Sequence, residues 1–481
     1  MTGCDILEDS HACATALDDG AISARRRRLT LWLVAGGMFM AVLDATIVNV
    51  ALPAIRADLD ATVGGLAWIV DAYTLSMAAL ILAGGVLADR WGAKRIYLAG
   101  LALFVLASAL CGAAGTVAWL VAARLVQGVG AALFLPASLA VVRGTFDDPD
   151  ERASAIATWA GIASVAAAIG PVVGGLLVSG LGWRSVFFVN VPTGLLAFCL
   201  SAWIVRLPLT QQVKRFDRGG QLTSIVMLGA LCFAAIELPE RGAGSPLVWL
   251  AATVAIGAAL GWFLIEHRTR DPMVPLMWFR NLTFLAANLV GCLVYIGYFG
   301  MLFILSLYLH GDYGFDARET GLALLPVAAS LSVGNVIAGR LQAHVSQRRL
   351  IAGSLIFAAL SAPLAAGLLV AHASWPAIVG ALAVFGVGTS ASVPPMIATV
   401  LEQVPEAASG VASGLLNALR QTGSLLGVAA ASAASALAPS PPAALSIVAG
   451  MAAAVYAIAA GLAIGWIRAP AYATSNLTEH G

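Results

Sequence analysis

A carboxylate lies within a stretch of the chain that is apolar enough to cross a membrane. Asp44 belongs to the string Leu43–Pro53, and the apolar residues around it extend from Leu29 to Leu52. An ionised side chain at the centre of a bilayer costs at least about 2.5–3.5 kcal/mol by insertion scales, so such residues usually serve a function. A carboxyl here can load a proton on one side of a membrane and release it on the other. The alternative is a permanently ionised group that holds neighbouring polar groups.

Two more charged residues lie inside apolar segments. Asp71 lies at a depth comparable to that of Asp44, and if both carboxyls face one cavity they can take part in proton coupling together. Arg124 needs a carboxylate or backbone carbonyls as its partner, because an unpaired guanidinium in lipid is costly. Asp44 or Asp71 could serve. The alternatives are an interface residue for Asp71 and a static structural pair for Arg124.

The composition excludes a soluble domain. Hydrophobic residues make up 60% of the 481 residues, charged residues make up 11%, and the mean hydropathy is +0.91, whereas soluble domains carry about 25% charged residues. We therefore expect an all-α polytopic membrane protein. The net charge of +1 gives no basic field for nucleic acid. The chain has no Walker loop, HExxH motif or Ser/His/Asp context, so we expect no enzyme, metal site or cofactor, and energy from an ion gradient.

The elements that position these residues are helical spans of roughly 20 apolar residues each. The sequence predicts about fourteen. Their approximate limits are 29–52, 66–88, 95–115, 117–142, 153–179, 185–206, 221–238, 247–266, 283–309, 319–339, 349–370, 376–400, 408–434 and 443–467.

The distribution of Lys and Arg predicts the orientation of these spans. With the N-terminus in the cytoplasm, most of the 26 Lys and Arg residues fall in inside segments, and the outside segments hold only Arg56, Arg184, Arg241 and Arg318. Cytoplasmic loops carry such an excess. We expect a multi-pass protein of the cell membrane with both termini cytoplasmic, residues 1–28 as a disordered leader and residues 469–481 as a tail.

A weak internal repeat predicts two halves. The segment Gly85–Ile96 resembles Gly339–Leu350, and each follows a span and opens the next cytoplasmic loop. The copies are eight spans apart instead of six, so two extra spans lie between the halves. The sequence predicts a six-helix half at 29–206, a linker at 207–282 with the extra spans, and a six-helix half at 283–468. We expect the extra spans to lie away from spans 1, 4 and 13.

These features resemble the fourteen-span drug:proton antiporter family of the major facilitator superfamily, over nearly the whole chain. Six motifs in the family's order carry the resemblance: Leu43–Pro53, Gly85-x-x-x-Asp89-Arg90-x-Gly92-x-Lys94-Arg95, Arg124-x-x-Gln127-Gly128-x-Gly130-Ala131-Ala132, Gly170-Pro171-x-x-Gly174-Gly175, Trp183-Arg184-x-x-Phe187-x-x-Asn190-x-Pro192-x-Gly194 and Gly410-x-x-x-Gly414-x-x-Asn417-x-x-Arg420-Gln421-x-Gly423. The second-half loop departs from the pattern, with Ala343 at the position that corresponds to Asp89.

The resemblance implies a gating loop after span 2. Its residues are Gly85, Asp89, Arg90, Gly92, Lys94 and Arg95. The two glycines permit a tight turn and a close backbone approach, and the family implies that Asp89 binds a neighbouring helix end in the outward state. Ordinary positive-inside anchoring is the alternative for the basic residues, but acids contribute little to orientation.

The resemblance also implies an antiporter motif in span 5. Gly170, Pro171, Gly174 and Gly175 form it, and Gly170 and Gly174 share a helix face that lets another helix pack closely. In the family this string separates exporters from importers. Plain helix packing is the alternative.

The function implied is a secondary active exporter of amphipathic drugs or antibiotics across the cytoplasmic membrane in exchange for protons. The alternatives are an exporter of a dedicated endogenous metabolite and a membrane sensor. We expect a monomer that contacts lipid, protons and a small-molecule substrate and binds no nucleic acid. The candidates for lining a substrate cavity are Asn49, Tyr73, Gln127, Phe134, Trp159, Tyr295, Tyr298, Phe299, Asn417, Arg420 and Gln421; packing or lipid contact is the alternative for the aromatic ones.

Asp89→Asn should slow turnover by favouring the inward-open state, while the substrate affinity of that state stays near normal. A contact present in only one state shifts the equilibrium by its differential energy, and a charge-assisted contact of about 1.5–3 kcal/mol changes populations roughly ten-fold or more. Labelling of single cysteines at the two mouths measures the shift. Equal accessibility in mutant and parent on both sides would reduce Asp89 to a loop residue.

Overall fold

The computed structural model describes residues 5–146, 148–205, 217–269, 274–405 and 408–468, with side chains from Arg25 onward except at 149 and 153. Within these ranges the chain is helical and has no strand, so the predicted all-α fold is confirmed. The linker residues 206–216 and the tail 469–481 lie outside the described residues.

The chain forms sixteen α-helices and one short 3₁₀-helix (Leu276–Arg280) in the described residues. In chain order the α-helices are α1 (Asp5–Leu59), α2 (Val63–Trp91), α3 (Ala93–Gly112), α4 (Val117–Thr145), α5 (Pro149–Leu181), α6 (Ser185–Phe188), α7 (Asn190–Ile204), α8 (Arg218–Arg241), α9 (Pro246–Arg268), α10 (Leu282–Gly311), α11 (Ala317–Leu341), α12 (Gln347–Val370), α13 (Trp375–Ala391), α14 (Val393–Glu402), α15 (Ser409–Leu437) and α16 (Pro441–Trp466).

Local chemistry sets many of the helix ends. Side-chain oxygens of Thr62 and Thr116 accept backbone N–H groups at the starts of α2 and α4, and Asp316 and Glu319 form a capping box on α11. These caps satisfy N–H groups that have no partner inside the helix. Gly92 ends α2 with φ 94°, a backbone conformation that residues with a side chain rarely adopt.

Thirteen helical segments among the described residues are long and apolar enough to cross a membrane, so the chain is a multi-pass membrane protein. The predicted span at 408–434 corresponds to α15, which has 29 residues but is not among the thirteen. It carries Asn417, Arg420 and Gln421, which lower its hydropathy. The count of fourteen spans therefore stays a prediction. The structure also differs from the predicted disordered leader, because α1 begins at Asp5.

The helix packing of the first half is repeated in the second half. In the first half α1 packs on α5 and α7, while α4 packs on α2 and α3; in the second half α10 packs on α15 and α16, while α13 packs on α11 and α12. The halves meet through two equivalent pairs, α5 with α11 and α2 with α15. This is the arrangement of parallel repeats related by an axis along the membrane normal.

The helices α8 and α9 pack against each other, and α8 also packs on α2 and α15. The expectation that both inserted spans lie away from span 13 is therefore wrong for α8. Hydrogen bonds tie α8 to α2: Trp68 Nε1 donates to Glu237 at 3.0 Å, and Gln221 Nε2 donates to the Ala79 carbonyl at 2.6 Å. In a membrane, interhelical hydrogen bonds such as these favour helix association, so they explain why α8 packs against the bundle instead of being surrounded by lipid.

A photoreactive amphipathic probe that enters the central cavity should label α10 and α15 but not residues 218–268, because no described residue of α8 or α9 lines that cavity. Mass spectrometry of the labelled peptides measures the distribution. A membrane-soluble photoprobe serves as the control and should label α9, whose apolar side chains are largely exposed. Substrate-probe labelling concentrated on residues 218–268 would contradict the placement.

Candidate functional site

A cavity of about 790 Å³ lies between the two halves. Side chains of α1, α2, α4 and α5 line it from one half, and side chains of α10, α11 and α13–α15 line it from the other. It reaches the bundle end that carries Asp89 on α2, Arg143 on α4 and Gly410 on α15, and Arg143 and Gly410 are exposed there. We call this end the cavity mouth.

The opposite end of the bundle is closed by glycines that let helices touch. A Cβ atom on Gly174 would lie 2.7 Å from Ile47 Cγ1 of α1, and one on Gly175 would lie 2.6 Å from the Ala317 carbonyl oxygen of α11. A Cβ atom on Gly321 would collide with the Pro171 carbonyl oxygen. Gly170 and Gly174 thus share a close-packing face, as the sequence predicts. The partners of the motif are α1 and α11, so the antiporter motif closes this end.

Asp44 lies in a fully buried polar cluster beside the cavity. Arg124 Nη1 donates to its Oδ2 at 2.5 Å, and its Oδ1 accepts from Gln127 Nε2 at 2.9 Å and Asn190 Nδ2 at 2.7 Å. Asp44 and Arg124 are each about 1% exposed. Three donors therefore hold the carboxylate, which is what an ionised group needs in a low-dielectric interior.

Arg124 connects this cluster to the cavity wall. Its Nε donates to the Ile69 carbonyl at 3.1 Å, its Nη1 also donates to Gln127 Oε1 at 2.7 Å, and its guanidinium carbon lies 4.4 Å from the ring centre of Tyr73. Of the two carboxylates that the sequence offers as its partner, the structure selects Asp44. Arg124 also lines the cavity, whereas Asp44 lies behind it.

Sequence reasoning missed two members of the cluster, Asn190 and Ser108. Asn190 Nδ2 donates to Asp44, and Ser108 Oγ accepts from Gln127 Nε2 at 2.7 Å. Both side chains are buried. Asn190 already forms part of a motif at the start of span 6, and a buried amide in an apolar span is itself a signal of polar contacts. Ser108 gives no such signal, because a serine hydroxyl in a membrane helix can donate its hydrogen bond to a backbone carbonyl of the same helix.

Asp71 does not face the cavity, so the prediction of two carboxyls in one cavity is wrong. It lies on the face of α2 that carries Trp68, whose Nε1 donates to Glu237 of α8. The side chain is buried, and neither oxygen makes a hydrogen bond to a described residue. The reason is helical periodicity: residues 68 and 71 share one face, while Val70 and Tyr73 point to the cavity.

The residues of the gating loop separate into different roles. Gly92 makes the turn between α2 and α3, and Asp89 lines the cavity mouth. Lys94 Nζ donates to the Ala202 carbonyl at 2.8 Å and thereby caps α7, while Arg90 and Arg95 are exposed. Gly85 lies inside α2 with only Pro136 near it, so the expected close approach is made instead by Gly84, which faces the Ala132 carbonyl.

Most of the predicted cavity residues line the cavity. Those that do are Tyr73, Trp159, Tyr295, Tyr298, Phe299, Asn417, Arg420 and Gln421. Three do not. Gln127 belongs to the Asp44 cluster. Asn49 lies at the contact between α1 and α10, where its backbone carbonyl accepts from Ser306 Oγ at 2.5 Å. Phe134 packs edge-on against Phe104 inside the first half.

Arg420 and Tyr295 form a second polar contact in the cavity. Arg420 Nη2 donates to the Tyr295 hydroxyl, and the guanidinium carbon lies 4.5 Å from the centre of the same ring. Arg420 Nε is buried and has no hydrogen-bond partner in the described part of the chain. The charge of Arg420 is therefore held by an aromatic residue instead of a carboxylate.

Asn190→Leu should destabilise the protein by about 1.5–3 kcal/mol, because a buried charged carboxylate loses one donor. Denaturant unfolding in detergent micelles measures the loss. Thr193→Val is the control on the same helix, since Thr193 is exposed and its Oγ1 donates to the nearby Val189 carbonyl at 2.7 Å, with only a long 3.8 Å contact to Met40 Sδ of α1. An Asn190→Leu protein as stable as the Thr193→Val protein would contradict the role assigned to the amide.

Curated relatives cover most of the chain. A methylenomycin A resistance protein of Bacillus subtilis (strain 168) is 37% identical over 404 residues, which are 83% of this chain and 85% of the relative. The multidrug resistance protein Stp of Mycobacterium tuberculosis is 37% identical over 410 residues, 84% and 75% of the two chains. A tetracenomycin C resistance and export protein of Streptomyces glaucescens is 34% identical over 412 residues, 83% and 74%.

The fold has a counterpart among solved structures. A crystal structure of the peptide transporter POT superposes with a TM-score of 0.66 and 16% identity, and the match covers 90% of this chain and 94% of that one. The sequence model of the Major Facilitator Superfamily matches residues 34–428 and 287–480. With repeated half-bundles around a central cavity, the chain belongs to the Major Facilitator Superfamily of transporters.

Proposed function

We propose that the protein is a secondary active transporter that exports amphipathic drugs or antibiotics across the cytoplasmic membrane in exchange for protons. The observation that carries the proposal is the contact between Asp44 and Arg124, which joins a carboxyl able to bind a proton to the wall of the cavity. The names of the relatives, which include resistance and export proteins, support the direction of transport and the kind of substrate.

The geometry gives a route for coupling. While Asp44 is ionised, it holds Arg124 through the 2.5 Å contact and accepts two amide N–H groups. A proton on Asp44 removes the charge that balances Arg124, so the guanidinium turns to other acceptors, including a substrate in the cavity that it lines. Proton binding and substrate binding then act on one side chain, and each changes the free energy of the other.

Alternating access follows from the two ends of the bundle. We assign the cavity mouth to the cytoplasm, on the positive-inside distribution of Lys and Arg, so the structure corresponds to an inward-open state. The end closed by Gly174, Gly175 and Gly321 faces outside and must separate for release. Because Gly170 and Gly174 pack on α1 directly after Asp44, a change at the carboxyl acts on the closed end through the same helix.

The remaining features of the proposal concern the whole chain. The protein lies in the cytoplasmic membrane with both termini in the cytoplasm, with α15 as a fourteenth span. It works as a monomer without a cofactor and catalyses no chemical reaction. Asp71, buried against α8, stays a second candidate for proton binding, and Asp89 at the mouth stays the candidate for the gating contact.

Asp44→Asn should abolish gradient-driven efflux and leave the protein folded, because the amide keeps the volume of the side chain and removes the proton-binding group. Uptake of a fluorescent antibiotic into everted vesicles, which corresponds to efflux from the cell, measures the effect under an imposed pH gradient. Asp60→Asn is the matched control: Asp60 is exposed after α1 and has φ 49°, which asparagine tolerates. Normal pH-dependent efflux by a well-expressed Asp44→Asn protein would overturn the proton-carrier role.

A further inference from the structure

The charged side chains that line the cavity are unevenly distributed. They are Asp89 and Arg143 at the mouth, Arg124 beside Asp44, and Arg420 on α15. Arg420 lies eleven residues along α15 from Ser409, so the helix rise places it roughly 16 Å deeper than the mouth. No carboxylate of the described residues lies within ion-pair distance of it, whereas Arg124 is neutralised by Asp44. The deep part of the cavity therefore carries one uncompensated positive charge.

The donors at this place converge. Because the Tyr295 hydroxyl accepts from Arg420 Nη2, its own O–H is free to donate in turn. The remaining Nη N–H groups of Arg420 and this O–H belong to residues that line the same cavity, whereas Arg420 Nε is buried. Planar guanidinium groups recognise carboxylates through such parallel donors. Asn417 and Gln421, which lie three residues before Arg420 and one after it, add amide groups to the same wall.

A positively charged ligand finds no comparable partner. Asp44 lies behind the wall with both oxygens occupied, Asp71 faces α8, and Asp89 is at the mouth. A cation deep in the cavity would meet aromatic, apolar, hydroxyl and amide side chains but no carboxylate of the described residues, beside an arginine of the same sign. An anionic group, in contrast, would compensate a guanidinium that is costly to leave unpaired in a low-dielectric environment.

We propose that the preferred substrates of this transporter carry a carboxylate or another anionic oxygen group that docks on Arg420 and the Tyr295 hydroxyl. This inference rests on the proposed export function and specifies the substrate class of the same cavity. The apolar body of the substrate packs against Tyr298 and Phe299, whose rings meet edge-on with centroids 5.2 Å apart beside Tyr295. Arg420 then sets charge selectivity, and the aromatic wall accepts different apolar bodies.

The test compares three probes that share one apolar body: naphthylacetate, naphthylacetamide and naphthylmethyl-trimethylammonium. Equilibrium dialysis against the protein in lipid nanodiscs, with empty nanodiscs subtracted, gives their affinities without any proton gradient. The parent protein should bind the acid about ten-fold more tightly than the amide, as a charge-assisted contact implies, and should bind the cation more weakly than both.

Arg420→Gln should lower the affinity for the acid about ten-fold or more and leave the affinity for the amide nearly unchanged. Arg420→Lys keeps the charge but loses the planar donor pair, so the affinity for the acid should fall only a few-fold. Tyr295→Phe should lower the acid affinity less than Arg420→Gln does. Arg340→Gln is the charge-matched control, because Arg340 is exposed at the end of α11 and outside the cavity lining; it should bind all three probes like the parent.

Equal or tighter binding of the cation by the parent protein would overturn the inference without any variant, so a poorly folded Arg420→Gln protein cannot mask the answer. An acid preference that survives undiminished in Arg420→Gln would also overturn it. Both results leave the export function intact, which is judged separately by uptake into everted vesicles. An acid preference in nanodiscs together with no gradient-driven uptake into vesicles that contain the same protein would instead support the substrate class and overturn proton-coupled export.

Discussion

The buried contact between Asp44 and Arg124 is the interaction on which the rest of the first half depends. Two opposite charges in an apolar bundle are stable only when their remaining donors and acceptors are satisfied. Gln127 and Asn190 supply the amides, and the Ile69 carbonyl accepts from Arg124 Nε. These partners come from five segments of the chain, so satisfying one carboxylate fixes the mutual positions of α1, α2, α4 and α7, with Ser108 of α3 joined through Gln127.

Small residues determine which end of the bundle is open. Between membrane helices there is little hydrophobic driving force, and close packing through glycine takes its place. Gly174 lets α5 touch α1, and Gly175 and Gly321 let α5 and α11 touch at their backbones. At the mouth, α2, α4 and α15 spread around the cavity instead. The tight end is a set of short-range contacts, which a modest shift of one half against the other would break.

The two arginines of the cavity are held in different ways, and this separates two tasks. Arg124 has a carboxylate partner whose charge a proton can remove, so it suits coupling. Arg420 contacts the aromatic side chain of Tyr295, and no carboxylate of the described residues lies within ion-pair distance of it, so its positive charge faces the cavity uncompensated. In the proposed mechanism, Arg124 with Asp44 is the part of the cavity wall that responds to protons, and Arg420 is the part that recognises the ligand.

The sequence by itself determined the class of the molecule, its motifs and eight of the residues that line the cavity. Composition and span length depend only on the chain, and the positions of Asp44, Arg124 and Arg420 inside apolar spans make them candidates for function before any contact is known. Only the tertiary structure decided that Asp44 rather than Asp71 holds Arg124, that Asn190 and Ser108 complete the cluster, and that Gly84 rather than Gly85 makes the close approach. These choices depend on the rotation of each helix about its axis. A modest rotation of a helix about its axis moves a side chain from the cavity to a helix interface, and packing against the other helices sets that rotation.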